Sequence, residues 1–77
     1  MINIRLQGLA PDIEKKIVNG WPAINRCYLP NGDLVITCNN CTVDHTTGVV
    51  MMDFFNGTIQ NRLILYAGEY RRAVKFS

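Results

Sequence analysis

Long apolar runs, paired cysteines and a strong charge of either sign are all missing from this 77-residue sequence. The longest apolar run is Leu63 to Ala67, far short of the roughly 20 residues that span a bilayer as a helix. Three cysteines make an odd count, whereas a secreted disulfide scaffold of this size carries an even and larger set. The first residues, Met1 to Gln7, lack the apolar core and small-residue cleavage site of a secretory leader, so the expected compartment is the cytoplasm. On that expectation the glycosylation-like triplets starting at Asn40 and Asn56 are chance matches. Eight Lys/Arg against six Asp/Glu leave a net charge of +2, too weak a field to imply nucleic acid or an anionic membrane by itself. The chain has no Gly-rich phosphate loop, no G-x-S-x-G and no H-E-x-x-H.

What is present is the composition of a folded domain, 48% hydrophobic and 18% charged. Without an internal repeat or a linker, residues 1–77 read as a single domain. Its expected stability is about 4 to 11 kcal/mol, thin enough for a metal or a partner subunit to matter.

Ile2, Ile4 and Leu6 alternate with Asn3, Arg5 and Gln7, the period of a half-buried strand. Leu9, Ile13, Ile17 and Trp21 then recur every four residues, predicting one amphipathic helix over 11–19. Pro11 suits its first turn, and Asn19-Gly20 offers a left-handed stop. Trp21 is expected to be core.

Beyond Pro22 the chain reads as β-structure. Asn31-Gly32 predicts a two-residue hairpin pairing Leu29 with Leu34, Cys27 with Ile36 and Asn25 with Cys38. Asn56-Gly57 predicts a second, pairing Phe54 with Ile59, Met52 with Asn61 and Val50 with Leu63, with Gln60 opposite Asp53. The face opposite Met52 and Phe54 carries Asp53, Gln60 and Arg62 but also Val49, Phe55 and Ile64, and is therefore expected to be partly covered. A last hairpin is expected to turn at Ala67-Gly68-Glu69. The predicted fold class is α+β: an antiparallel sheet of five to six strands, barrel-like, with the one short helix against it.

Every cysteine and the single histidine fall within nineteen residues as Cys27, Cys38, Cys41 and His45. The C-x-x-C step can supply two thiolates from one turn, so these four are the candidate zinc ligands, zinc being the one candidate cofactor. The competing reading, preferred here, is that Cys27 and Cys38 are small apolar residues of the hairpin core, with Cys41 and His45 in an exposed loop. Cys41, Asp44 and His45 are also the only clustered groups suited to acid, base or nucleophile work, and no enzyme is expected from them. Near the C-terminus Tyr66, Tyr70, Arg71, Arg72 and Lys75 interleave rings with cations, the chemistry that holds single-stranded nucleic acid. Strand alternation puts Arg71 and Lys75 on one face and Arg72 on the other, and an edge strand protected by charge is the preferred explanation of the segment.

These features favour a non-catalytic small binding protein acting through protein–protein contacts. It would be an accessory regulator or inhibitor of the kind common in phages and mobile elements, with a protein partner or a copy of itself as target. No membrane and no small-molecule substrate are expected. The alternative is a nucleic-acid-binding domain stapled by zinc.

Overall fold

The structure, a computed structural model, describes residues 1–76, leaving aside the side chains of residues 56 and 59. Seven strands and one α-helix follow in the order β1 (Ile2–Gln7), α1 (Pro11–Gly20), β2 (Arg26–Tyr28), β3 (Leu34–Cys38), β4 (Asn40–Asp44), β5 (Val49–Asn56), β6 (Ile59–Leu65) and β7 (Arg72–Phe76), with a short 3-10 turn at Ala23–Asn25. They build two antiparallel sheets, β2-β3-β1-β7 and β4-β5-β6. The α+β class and the single helix therefore hold, but the barrel-like closure does not: the chain steps from one sheet to the other at Asn39.

One core is shared by the inner faces of both sheets and the helix. Ile4, Leu6, Leu34 and Ile36 come from the four-stranded sheet, Cys41, Val50, Met52 and Leu65 from the three-stranded one, and Ile13, Ile17 and Trp21 from α1 and its end. Each such aliphatic or aromatic side chain stabilises the fold by about 1.5 to 3 kcal/mol relative to its exposed state. Trp21 is 5% exposed and meets Phe54 at a ring-centroid distance of 6.1 Å, tilted by 52°, so it is core as expected.

The helix stops for a different reason than Asn19-Gly20 suggested. Gly20 is not left-handed. Trp21 instead turns extended at φ −92°, ψ 137°, the conformation that a following proline imposes. Arg26 then reaches back from β2, donating to the Val18 and Trp21 carbonyls at 2.9 and 3.0 Å and satisfying acceptors the helix leaves open.

Register separates expectation from outcome in both hairpins. At the first, Tyr28 pairs with Leu34, Cys27 with Val35 and Arg26 with Ile36, one residue away from the predicted pairing. Gly32 donates to the Leu29 carbonyl and Leu29 to that of Asp33, so the loop is the three residues Pro30, Asn31 and Gly32. Pro30 fixes a negative φ suited to the first position of a type I turn, only Gly32 is left-handed (φ 93°), and a one-residue shift reverses which face Cys27 takes. At the second, Gly57 and Thr58 form the loop with Gly57 at φ 63°. The pairs become Val50–Leu65, Met52–Leu63, Phe54–Asn61 and Asp53–Arg62, shifted by two, so the same side chains still face the core.

The expected last hairpin is absent. The Ala67-Gly68-Glu69 turn carries the chain to the other sheet, where β7 pairs with β1 as Gln7–Arg72, Leu6–Ala73 and Ile4–Lys75. Asn40–Asp44, expected as loop, is a strand whose alternate residues Cys41 and Val43 turn inward.

Candidate functional site

A concavity opens where β7, the edge of the four-stranded sheet, faces β4, the edge of the three-stranded one. It is a cleft of about 570 Å³ lined by His45 and Gly48 on one side and by the continuous stretch Tyr70 to Lys75 on the other. Two side-chain contacts bridge it. Tyr70 donates its hydroxyl to the Gly48 carbonyl, and Lys75 donates Nζ to the Cys41 carbonyl at 3.4 Å. The strands thus face each other in opposite directions, with no ladder between them.

Arg71, Arg72 and Lys75 all line this cleft, although strand alternation had separated them. An edge explains the difference, because a cleft beside a strand meets side chains from both of its faces as well as its backbone. His45 joins them from the turn after β4, a role the sequence reading missed. The signal was Gly48, whose φ of 78° closes the turn that brings residues 45 to 48 back along β4. Tyr66 lies apart, 56% exposed beyond the end of β6, and takes no part in the lining. The proposed nucleic-acid set is therefore split.

Among the described residues the ion pairs are Arg5–Asp33 and Arg62–Asp53, so Arg71, Arg72 and Lys75 have no carboxylate partner among them. Asp44, next to His45, accepts the backbone N–H groups of Thr46 and Thr47 at 2.9 and 3.3 Å. Those bonds hold its carboxyl below the usual carboxylate range.

The candidate zinc ligands are dispersed. Cys27 is exposed on edge strand β2, and the register shift puts it on the opposite face from Cys38. Cys38 and Cys41 are both buried beside the step between the sheets, and His45 lines the cleft. No three His, Cys, Asp or Glu side chains converge as ligands would among the described residues. Nor is the C-x-x-C step a left-handed knuckle: among the described residues none but glycine has positive φ, and Asn39 is pinned to β5 by its N–H on the Asp53 carbonyl and its side-chain oxygen under the Phe55 N–H. Burial raises both thiols, Cys38 to about 11, with Cys41 close by as a further cause at Cys38. As protonated core thiols they are poor nucleophiles.

Opposite the core, the outer face of the three-stranded sheet is open. Met51 stands directly across from Ile64, with Val49 on one side of it along β5 and Tyr66 beyond the end of β6, while the Asp53–Arg62 pair on its other side separates it from Phe55. Phe55 is 43% exposed and Ile64 38%. Within this apolar surface Asp53 is buried, and Arg62 closes over it with a bidentate pair at 2.8 and 3.3 Å. That guanidinium holds the Asp53 carboxyl below its ordinary range.

A smaller cavity of about 230 Å³ sits between α1 and β6 beside Trp21. No helix is long and apolar enough to cross a membrane among the described residues. Set against known protein families, curated proteins and solved structures, the chain matches none.

Proposed function

We propose that this chain is a non-catalytic binding protein that works through protein–protein contacts, as an accessory regulator or inhibitor that occludes or joins another protein surface. The observation that carries the reading is the open face of the three-stranded sheet. Met51 and Ile64 form a cross-strand pair on it, Val49 and Tyr66 extend the apolar surface beside them, and Phe55 stands exposed beyond the Asp53–Arg62 pair. An exposed apolar cluster of this kind, bordered by Thr42 on β4 and by the Asp53–Arg62 pair that divides it from Phe55, has the character of a contact surface rather than of a solvated sheet. Aromatic and methionine side chains are the types enriched in such surfaces.

For a chain whose own stability is only about 4 to 11 kcal/mol, covering this face with a copy of itself also supports the fold. The reading therefore includes self-association through β5 and β6. Native mass spectrometry and light scattering across a concentration series test it, on the wild type and on Met51→Glu and Ile64→Lys. The expected result is a concentration-dependent dimer that both substitutions reduce to monomer with the helical and sheet signals intact. A wild type that stays monomeric at high micromolar concentration, or a dimer that both substitutions leave unchanged, would overturn it.

A further inference from the structure

The β4–β7 cleft combines two features that are independent of the sheet face. The first is backbone. β7 pairs only with β1 and β4 only with β5, so each strand turns an unpaired edge of N–H and C=O groups toward the other. Lining by six consecutive residues, 70 to 75, places the cleft along the β7 edge itself rather than over one of its faces. The second is charge. Arg71, Arg72 and Lys75 line the opening, and no Asp or Glu is among its lining residues.

A ligand that uses both features needs its own row of backbone donors and acceptors, together with regularly spaced negative groups. An extended peptide with carboxylates at alternate positions has both. Its main chain can add to an exposed strand edge, and an arginine fork meets a carboxylate through two parallel hydrogen bonds. Single-stranded nucleic acid uses only the charge. It also asks for several stacking rings, and Tyr70 is the one aromatic side chain of the cleft, with its hydroxyl already committed to the Gly48 carbonyl.

We propose that the β4–β7 cleft binds an extended acidic segment of a partner protein, which adds as a strand along the β7 edge while Arg71 and Arg72 hold its carboxylates. This rests on the reading of the chain as a protein-binding module, but it uses a surface separate from the β5–β6 face. Arg72 reaches the ligand from the outer face of the strand and Arg71 from the inner one, so both rows of ligand side chains are read. Gly8 is part of the device. A Cβ placed on it would come within 2.7 Å of the Arg71 Cβ, so the bare glycine is what lets the strand carry Arg71 past this point.

The test is fluorescence anisotropy with a labelled peptide of alternating Glu and Val, alongside three probes: the same peptide with Gln for Glu, the acidic peptide N-methylated at alternate residues, and a short oligo-dT. The proteins are the wild type, Arg71→Gln/Arg72→Gln, Lys15→Gln/Lys16→Gln as a charge-matched change on the helix, and Met51→Glu. The acidic peptide is expected to bind. Its affinity should fall roughly tenfold or more with the Gln peptide and with Arg71→Gln/Arg72→Gln, since charge-assisted hydrogen bonds are each worth more than that factor. N-methylation should abolish binding, while Lys15→Gln/Lys16→Gln and Met51→Glu should leave it unchanged.

Tighter binding of oligo-dT than of the acidic peptide would overturn the assignment in favour of a nucleic-acid groove. Equal binding of the N-methylated peptide would overturn strand addition, and no binding of the acidic peptide would overturn the site. Because Met51→Glu tests the sheet face alone, a monomeric chain that still binds the peptide removes self-association without touching this proposal.

Discussion

Tyr70 donates its hydroxyl to the Gly48 carbonyl oxygen, joining the segment that leads into β7 to the turn between β4 and β5. The bond crosses from one sheet to the other, and a partly buried acceptor is left without its donor when the hydroxyl is removed. Tyr70→Phe should therefore cost about 1 kcal/mol, read from the denaturation midpoint at unchanged slope. Because the same bond closes one end of the basic cleft, backbone amides of residues 45 to 48 should also exchange hydrogen faster in the variant.

Gly8 and Gly48 are held at φ 66° and 78°, and an added Cβ at either would stand under 3 Å from another Cβ, that of Arg71 or Ala67. Gly8→Ala and Gly48→Ala should each destabilise by more than the roughly 1 to 2 kcal/mol that left-handed backbone alone costs a residue with a side chain. Gly32→Ala is the control. Its φ is also positive but nothing stands within 4 Å of the added atom, so the loss should stay near that backbone value. Equal losses at all three positions in chemical denaturation would show that the close approaches do not matter.

The thiols should separate by burial. Cys27 is exposed, whereas Cys38 and Cys41 are buried with their pKa values raised, Cys38 to about 11. At mildly alkaline pH an aromatic disulfide reagent should label one thiol quickly in the native protein and all three after denaturant. Cys27→Ser should remove the fast phase entirely. Fast labelling of two or three thiols in the native state would contradict the burial of the step between β3 and β4.

Asp53 and Asp33 are both held below the usual carboxylate range, by Arg62 and Arg5 respectively. A folded-state pKa below the unfolded value of about 4 means that the stabilisation is complete above that pH. It is lost as pH falls through the folded values, where the native carboxylates take up protons. Asp53→Asn should lower the melting temperature near neutral pH, and the gap from wild type should close as the pH approaches about 2. A gap that persists unchanged in acid would mean that Asp53 acts through packing and not through its charge.

Local periodicity made part of this fold legible. The alternation of Ile2, Ile4 and Leu6 and the four-residue spacing of Leu9, Ile13, Ile17 and Trp21 describe faces that a single element sets for itself, and the structure has both. Asn40–Asp44 carries the same alternation, with Cys41 and Val43 between Asn40, Thr42 and Asp44, but its Asn and Thr residues also have the chemistry of an exposed loop, which is the reading preferred above. At the first hairpin the Asn-Gly pair was given more weight than the proline before it. Pro30 lengthened the loop by one residue and turned Cys27 away from Cys38.

What the sequence determined by itself is therefore the α+β class, the helix and the residues that fill most of the core, because side-chain period and turn chemistry act within a few residues. Only the tertiary structure decided that the strands divide between two sheets and that β7 leaves β6 to pair with β1, about 70 residues away in sequence. Strand edges are satisfied by whichever partner the packed core brings alongside, and that choice leaves no local mark on the chain. The same choice brought His45 to the basic strand and set Cys27 apart from Cys38 and Cys41, so the candidate site exists only once the two sheets have met.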